Sequence, residues 1–145
     1  AVEDIGLADP QALVVANAAK DAYHFLGSPE GELALAQTAI YLATAPKSNA
    51  AYNAYKAAMR VAKENGSLVP PKTILNAPTR LMKSEGYGTG YRYDHDEPDA
   101  FSGQDYFPEA IGRQSFYRPT PRGFEKVLGE RLARWAELRR SRNEG

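Results

Sequence analysis

Apolar residues recur at intervals of three and four through the first half of the chain, and proline and glycine divide them into segments. Asp9 followed by Pro10 supplies an N-cap and a first helical position. The helix it opens has apolar positions at Ala12, Val15, Ala16, Ala19, Tyr23 and Leu26, and Gly27 ends it. Ser28-Pro29 repeats the start signal, and a second helix is predicted to run to about Ala45, before Pro46. Its stretch from Leu33 to Ala43 is apolar nearly all round, interrupted by Gln37 and Thr38. Such a helix is buried on several sides, so it is either central to its domain or also packs on another subunit.

Ser48 caps a predicted third helix that ends near Asn65-Gly66. Ala50, Ala54, Ala57 and Ala58 allow close helix approach, with Tyr52, Tyr55 and Met59 as bulk beside them. Pro70-Pro71 breaks the chain, a short helical turn follows at Thr73 to Leu75, and Pro78 starts a brief helix from about Thr79 to Glu85, closed by Gly86. From Tyr87 to Pro119 the pattern changes: glycines alternate with eight aromatic residues. Flexible linkers are poor in aromatics, so this is a long irregular segment pinned by aromatic anchors, of the kind that is usually functional or interfacial. Thr120-Pro121 is the expected cap of a last helix, with an apolar seam at Phe124, Leu128, Leu132, Trp135 and Leu138. Tyr91-Arg92-Tyr93 is the one short strand candidate. The expectation is an all-α helical bundle forming a single domain over residues 1–145.

Composition narrows the function classes. Eighteen basic and eighteen acidic residues balance, which argues against a domain whose main task is neutralising phosphates. There is no cysteine, which removes disulfides and thiolate metal sites. No apolar run reaches the roughly 18 to 20 residues of a membrane span, and Ala1 to Ile5 has no signal-peptide character. Glu3-Asp4-Ile5 reads as the tail of a helix stopped by Gly6, in a piece of a longer chain.

The candidate chemistry is thin. Gly86-Tyr87-Gly88-Thr89-Gly90 is glycine-rich, but it follows a helix and lacks both the Gly-Lys-Ser/Thr ending and a following helix, so it reads as a helix C-cap running into a turn and not as a phosphate loop. Asp94-His95-Asp96-Glu97 is acidic, but the position where a calcium loop needs glycine is Asp99. His24 and His95 lie too far apart for a zinc pair. No catalytic, cofactor-binding or metal residue is assigned. The candidates are structural or interfacial. Tyr91 and Tyr93 would alternate on a short extended stretch and point to opposite faces, His95 and Asp96 would fix its end by hydrogen bonding, and Trp135 would anchor the last seam. A rival reading uses Tyr87, Tyr91 and Tyr93 with the basic last helix, and Lys72, Arg80 and Lys83, to hold single-stranded DNA or a partner protein.

Four stretches, in chain order, carry a resemblance: EDIGLADP from Glu3 to Pro10; LALAQTAIYLATAPKSNA, ending at Ala50; NAPTRLMKSEGYGTGYRYDHD from Asn76 to Asp96; and YRPTPRGFEKVLGERLARW from Tyr117 to Trp135. Together they resemble the C-terminal domain of the replication-associated recombination protein A family, also called MgsA. The resemblance implies AAA+ ATPases related to clamp loaders and to the Werner-helicase-interacting protein, acting in replication-fork maintenance, recombination and repair. It implies that the ATP- and Mg²⁺-binding motifs lie upstream, and that this domain has no activity of its own. It also implies a helical domain similar to the clamp-loader collar that holds a homotetramer together. The implied partners of the whole protein are DNA and single-stranded-DNA-binding or replication proteins, in a bacterial cytoplasm and associated with the nucleoid. Glu97 to Ser102 departs from the family pattern.

Overall fold

Asp9 begins the first helix as expected. Its Oδ1 accepts the Gln11 N–H at 3.0 Å and its carbonyl accepts that of Ala12, and α1 (Gln11–Leu26) follows. A computed structural model describes residues 1–143. Beyond α1 these form α2 (Glu30–Thr44), α3 (Ala50–Asn65), α4 (Arg80–Ser84) and α5 (Glu125–Asn143), with short 3-10 turns and no strand among the described residues. The fold is therefore all-α. No described helix is long and apolar enough to cross a membrane.

The chain divides into two compact units, and α3 and α5 each contribute to both: the first holds Ala1–Arg60 and Phe116–Leu132, the second Val61–Ser115 and α5 from Ala133 on.

In the first unit α1 and α2 form an antiparallel hairpin, closed at its open end by the Tyr41 hydroxyl on Asp9 Oδ2 at 2.5 Å. The two helices meet through small residues. Ala12 and Ala19 of α1 and Gly31 and Thr38 of α2 are buried. A Cβ on Gly31 would lie 2.8 Å from the Tyr23 Cα, so only glycine admits this approach. Extensive helix–helix packing is confined to this pair among the described residues. The expectation that α2 is buried on several sides is therefore not met within the chain: Leu33 and Ile40 stay 74% and 68% exposed.

The centre of the first unit is polar. Ser48 caps α3 by accepting the Ala50 N–H, and its own N–H donates to the Asp4 carbonyl. The last helix starts later than Thr120-Pro121 suggests, at Glu125. The reason is that Thr120 is held by the Glu125 side chain, through its N–H at 2.8 Å and its hydroxyl at 2.7 Å. Between them Gly123, at φ +53°, packs so closely on the Ala8 carbonyl that a Cβ would come within 2.1 Å of the oxygen.

The second unit opens on loops. Thr79 caps α4 by accepting the Met82 N–H. The helix ends in a Schellman motif: the Tyr87 N–H donates to the Met82 carbonyl and the Gly86 N–H to that of Lys83. The glycine-rich stretch is thus a helix terminator, as its context suggests. Tyr91-Arg92-Tyr93, the strand candidate, is not a strand. One side-chain amide holds its backbone at Arg92 and at the preceding Gly90. Gln104 Oε1 accepts the Arg92 N–H at 2.9 Å, and Gln104 Nε2 donates to the Gly90 carbonyl at 2.6 Å.

Candidate assembly faces and a tyrosine-lined cleft

The exposed apolar side chains of the first unit follow helical spacing. On α2, Leu33, Ala36, Ile40 and Ala43 repeat at three, four and three residues, and all four are exposed. That is the spacing of a helix–helix seam, here turned away from the α1 contact. On α1, Val14, Ala18 and Phe25 occupy the face opposite Ala12 and Ala19, and Phe25 is 88% exposed. On α3, Tyr52, Tyr55 and Met59 are exposed beside the small residues.

What holds the first unit rigid beneath these faces is Glu125, which is fully buried. Its carboxylate accepts the Ser48 hydroxyl at 2.7 Å, the Tyr117 hydroxyl at 2.9 Å and the two Thr120 donors. Burial alone would raise this carboxyl. The backbone and hydroxyl of Thr120, with Ser48 and Tyr117, outweigh it and hold the group below its ordinary value. In the sequence Glu125 is one acidic residue among three, with Glu130 and Glu137, on the last helix. Ser48 is 77 residues away, and no local rule connects the two.

In the second unit, Tyr91 and Tyr93 are 52% and 54% exposed. Neither is packed away. His95 and Asp96 lie in a 3-10 turn, Asp94–Asp96, and both are exposed; the His95 ring sits 5.0 Å from that of Tyr93. The groups that pin this stretch are Gln104 and Asp94, whose Oδ1 accepts the Ser102 N–H at 2.7 Å. Hydrogen bonding from Ser102 holds the Asp94 carboxyl below its ordinary range. Trp135 stacks on Phe101 at 6.2 Å with 11° between the rings, and remains 40% exposed. The Arg139 and Arg142 guanidinium groups also lie over Phe101. Arg134 and Arg142 pair with Asp99, so part of the basic tail is spent inside this unit.

A cleft of about 840 Å³ lies among these loops, with Thr73, Lys83, Tyr87, Tyr91, Asp94 and Tyr106 in its wall. The Thr73 hydroxyl is buried there without a hydrogen-bond partner among the described residues. No group of three or more described His, Asp or Glu residues is arranged to hold a metal ion.

Comparison with known proteins places this architecture. The family model described as "MgsA AAA+ ATPase C terminal" matches residues 1–136. The chain is 51% identical over 138 residues to the replication-associated recombination protein A of Escherichia coli K12, covering 94% of this chain and 31% of that protein. It is 51% identical over 139 residues to the protein of the same name from Coxiella burnetii, covering 95% and 32%. It is also 42% identical over 118 residues to the ATPase WRNIP1 of Dictyostelium discoideum, covering 81% and 14%. The chain spans about a third of the length of the bacterial relatives.

Proposed function

The chain belongs to the MgsA AAA+ ATPase C-terminal family, and from that premise we propose that it is the assembly module of its protein. In this reading it sets the oligomeric state, a homotetramer, so that neighbouring ATPase domains complete each other's sites. The ATP and Mg²⁺ chemistry belongs to the upstream part of the full-length protein, a DNA-dependent ATPase of replication-fork maintenance, recombination and repair. Its partners there are DNA and single-stranded-DNA-binding or replication proteins, in the bacterial cytoplasm at the nucleoid. The 145-residue chain itself neither binds nor hydrolyses ATP.

The observation that carries this reading is the exposed Leu33–Ala36–Ile40–Ala43 stripe on α2. Monomeric proteins rarely leave contiguous apolar surface of this kind open to water, and a second copy of the same helix face covers it without any unpaired polar group. Sedimentation at micromolar concentration tests it: the expected mass is a multiple of 15.9 kDa, and a clean monomer overturns the reading. Calorimetric titration of the chain with Mg-ATP is expected to give no saturable heat.

The rival, a module that contacts single-stranded DNA or a partner protein, is favoured by one observation of its own, the half-exposed tyrosines beside α4.

A further inference from the structure

We infer that the exposed α2 stripe pairs with the same stripe of a second copy in antiparallel orientation, about a two-fold axis at the level of Thr38, so that Leu33 and Ile40 seat on Ala43 and Ala36 of that copy and Glu32 lies beside its Lys47. This rests on the assembly reading and adds to it the direction, register and electrostatics of the contact.

Side-chain size sets the register. Along the stripe the order is large, small, large, small: Leu33, Ala36, Ile40, Ala43. A parallel neighbour in register sets Leu33 beside Leu33 and Ala36 beside Ala36, wide at one level and hollow at the next, and hollows in an apolar contact are costly. Turned antiparallel and centred at the level of Thr38, the second copy presents small, large, small, large. Each Leu or Ile then meets an Ala, a knob against a hole. The same residues serve both copies, as a two-fold contact requires. Thr38 itself is buried on the other side of the helix, so it does not stand in the contact.

Charge sets the direction. Glu30 and Glu32 lie in the first turn of α2, and no basic residue lies in its last. Lys47 follows the helix and folds its ammonium back onto the Leu42 and Ala43 carbonyls. One end of α2 is therefore acidic and the other basic. None of these three side chains has an ion-pair partner among the described residues. Glu32 is four residues before Ala36, hence on the side of the stripe. A parallel neighbour puts acid on acid and base on base. An antiparallel one puts Glu32 beside Thr44 of the second copy, within about one helical turn of its Lys47 ammonium, and does so twice per contact. The two helix dipoles also run in opposite directions, each positive end beside a negative one. The homotetramer of the assembly reading is then two such pairs, with the α2 contact forming first.

The chain has no cysteine, so introduced thiols report this contact alone. Leu33→Cys with Ala43→Cys in one chain, oxidised at micromolar concentration, should give a covalent dimer on a non-reducing gel. The two positions lie about 15 Å apart along one helix, beyond the roughly 4.4–6.8 Å between Cα atoms that a disulfide spans, so the bond can join only separate copies. Leu33→Cys alone and Ala43→Cys alone should stay largely unlinked. Efficient linking by Leu33→Cys alone means a parallel contact and overturns the inference. Charge exchange is the second readout, and it leaves the apolar stripe intact. In about 50 mM salt, where exposed pairs are little screened, Glu32→Lys and Lys47→Glu should each weaken association roughly two- to thirty-fold, for two pairs per contact. Combined in one chain they should restore it to within about three-fold. Losses that simply add in the combined variant overturn the inference as well. If the unmodified chain sediments as a clean monomer, the assembly reading and this inference fail together. An oligomer that gives no double-cysteine dimer and ignores the charge changes keeps the reading and rejects the pairing.

Discussion

Glu125 Oε2 lies 2.7 Å from the Ser48 hydroxyl, joining residues 77 positions apart in a fully buried contact. Ser48 is also the cap of α3, and Glu125 stands in the first turn of α5. One carboxylate therefore sets where two helices begin. It also holds Thr120 and Tyr117, so the segment entering α5 is fixed before the helix starts. Glu125→Ala leaves four donors facing a cavity with no acceptor. Unsatisfied buried donors cost about 1–3 kcal/mol each, with partial relaxation, so a total loss of roughly 3–5 kcal/mol is expected. Urea unfolding followed by far-UV circular dichroism measures it, and a loss below about 1 kcal/mol would show that the node is dispensable.

The same contact predicts the pH response. The folded Glu125 pKa lies below its ordinary 4.5, because the Thr120, Ser48 and Tyr117 hydrogen bonds outweigh burial. A depressed carboxyl contributes stability that is fully present above 4.5 and lost as pH falls through the folded value. Tyr117 moves the other way: burial, then its bond to Glu125, raises the phenol above its ordinary 10.0. Its contribution is fully present below pH 10.0 and lost as pH rises through the folded value. Urea midpoints of the wild-type chain should therefore fall on the acid side, and those of Glu125→Gln should fall less steeply there. Equal acid slopes in the two proteins would assign acid sensitivity to other carboxyls, Asp94 first among them.

Gly123→Ala should be among the most damaging single substitutions in the chain. The added Cβ would lie 2.1 Å from the Ala8 oxygen and 2.8 Å from Pro46 Cγ, at a φ that side chains rarely adopt. The Phe124 N–H donates to that same Ala8 carbonyl, so the turn cannot move away without losing the bond. Gly112→Ala, also at positive φ but with open space around it, is the control for backbone strain alone. Comparable unfolding midpoints for the two variants would mean that the Ala8 contact is not what excludes a side chain.

The helices were legible because their ends are written in local chemistry. Asp9 and Ser48 cap as their positions suggest, and Gly86 terminates α4 in the expected way, while Thr79, read as the first residue of that helix, is its cap. The first turn of α5 was not legible, since Thr120 answers to Glu125 and Gly123 to Ala8, a distant partner. In the aromatic segment the general nature is readable, but the side chains that hold its backbone are not. His95 and Asp96 stand exposed, while Asp94 and Gln104 bind the backbone. A side-chain amide standing in for a β-partner leaves no periodic trace.

Phe101 and Trp135 offer a test of how the second unit is stapled. Their stacked rings and the Arg139 and Arg142 guanidiniums above Phe101 join the loop to α5. Because Trp135 is 40% exposed, Trp135→Ala should cost only about 1–2 kcal/mol in the dilute chain, less than the roughly 3–5 of a fully buried aromatic. A double-mutant cycle with Phe101→Ala should give a coupling of about 0.5–1.5 kcal/mol. Additive losses would mean that the stack contributes burial and no pairwise attraction.

The assembly proposal stands or falls on α2. Leu33 and Ile40 project from the face opposite the buried Gly31 and Thr38, so changing them should leave the α1–α2 hairpin intact. Leu33→Glu with Ile40→Glu places charge in the middle of the proposed seam, and dispersing it into water is the only relief once a second copy approaches. The double variant should therefore sediment as a 15.9 kDa monomer while keeping the helical content and monomer unfolding midpoint of the parent at high dilution. Lys20→Gln, an exposed change on α1 and not on the stripe, should leave the mass unchanged. If Leu33→Glu with Ile40→Glu assembles like the parent, the seam is elsewhere. The exposed Val14–Phe25 face of α1 and the Tyr55–Met59 face of α3 are then the surfaces to charge next. A monomer that has also lost its helical signal would point instead to unfolding, and a milder pair, Leu33→Ser with Ile40→Ser, separates the two: it should shift the association constant without changing the monomer's fold.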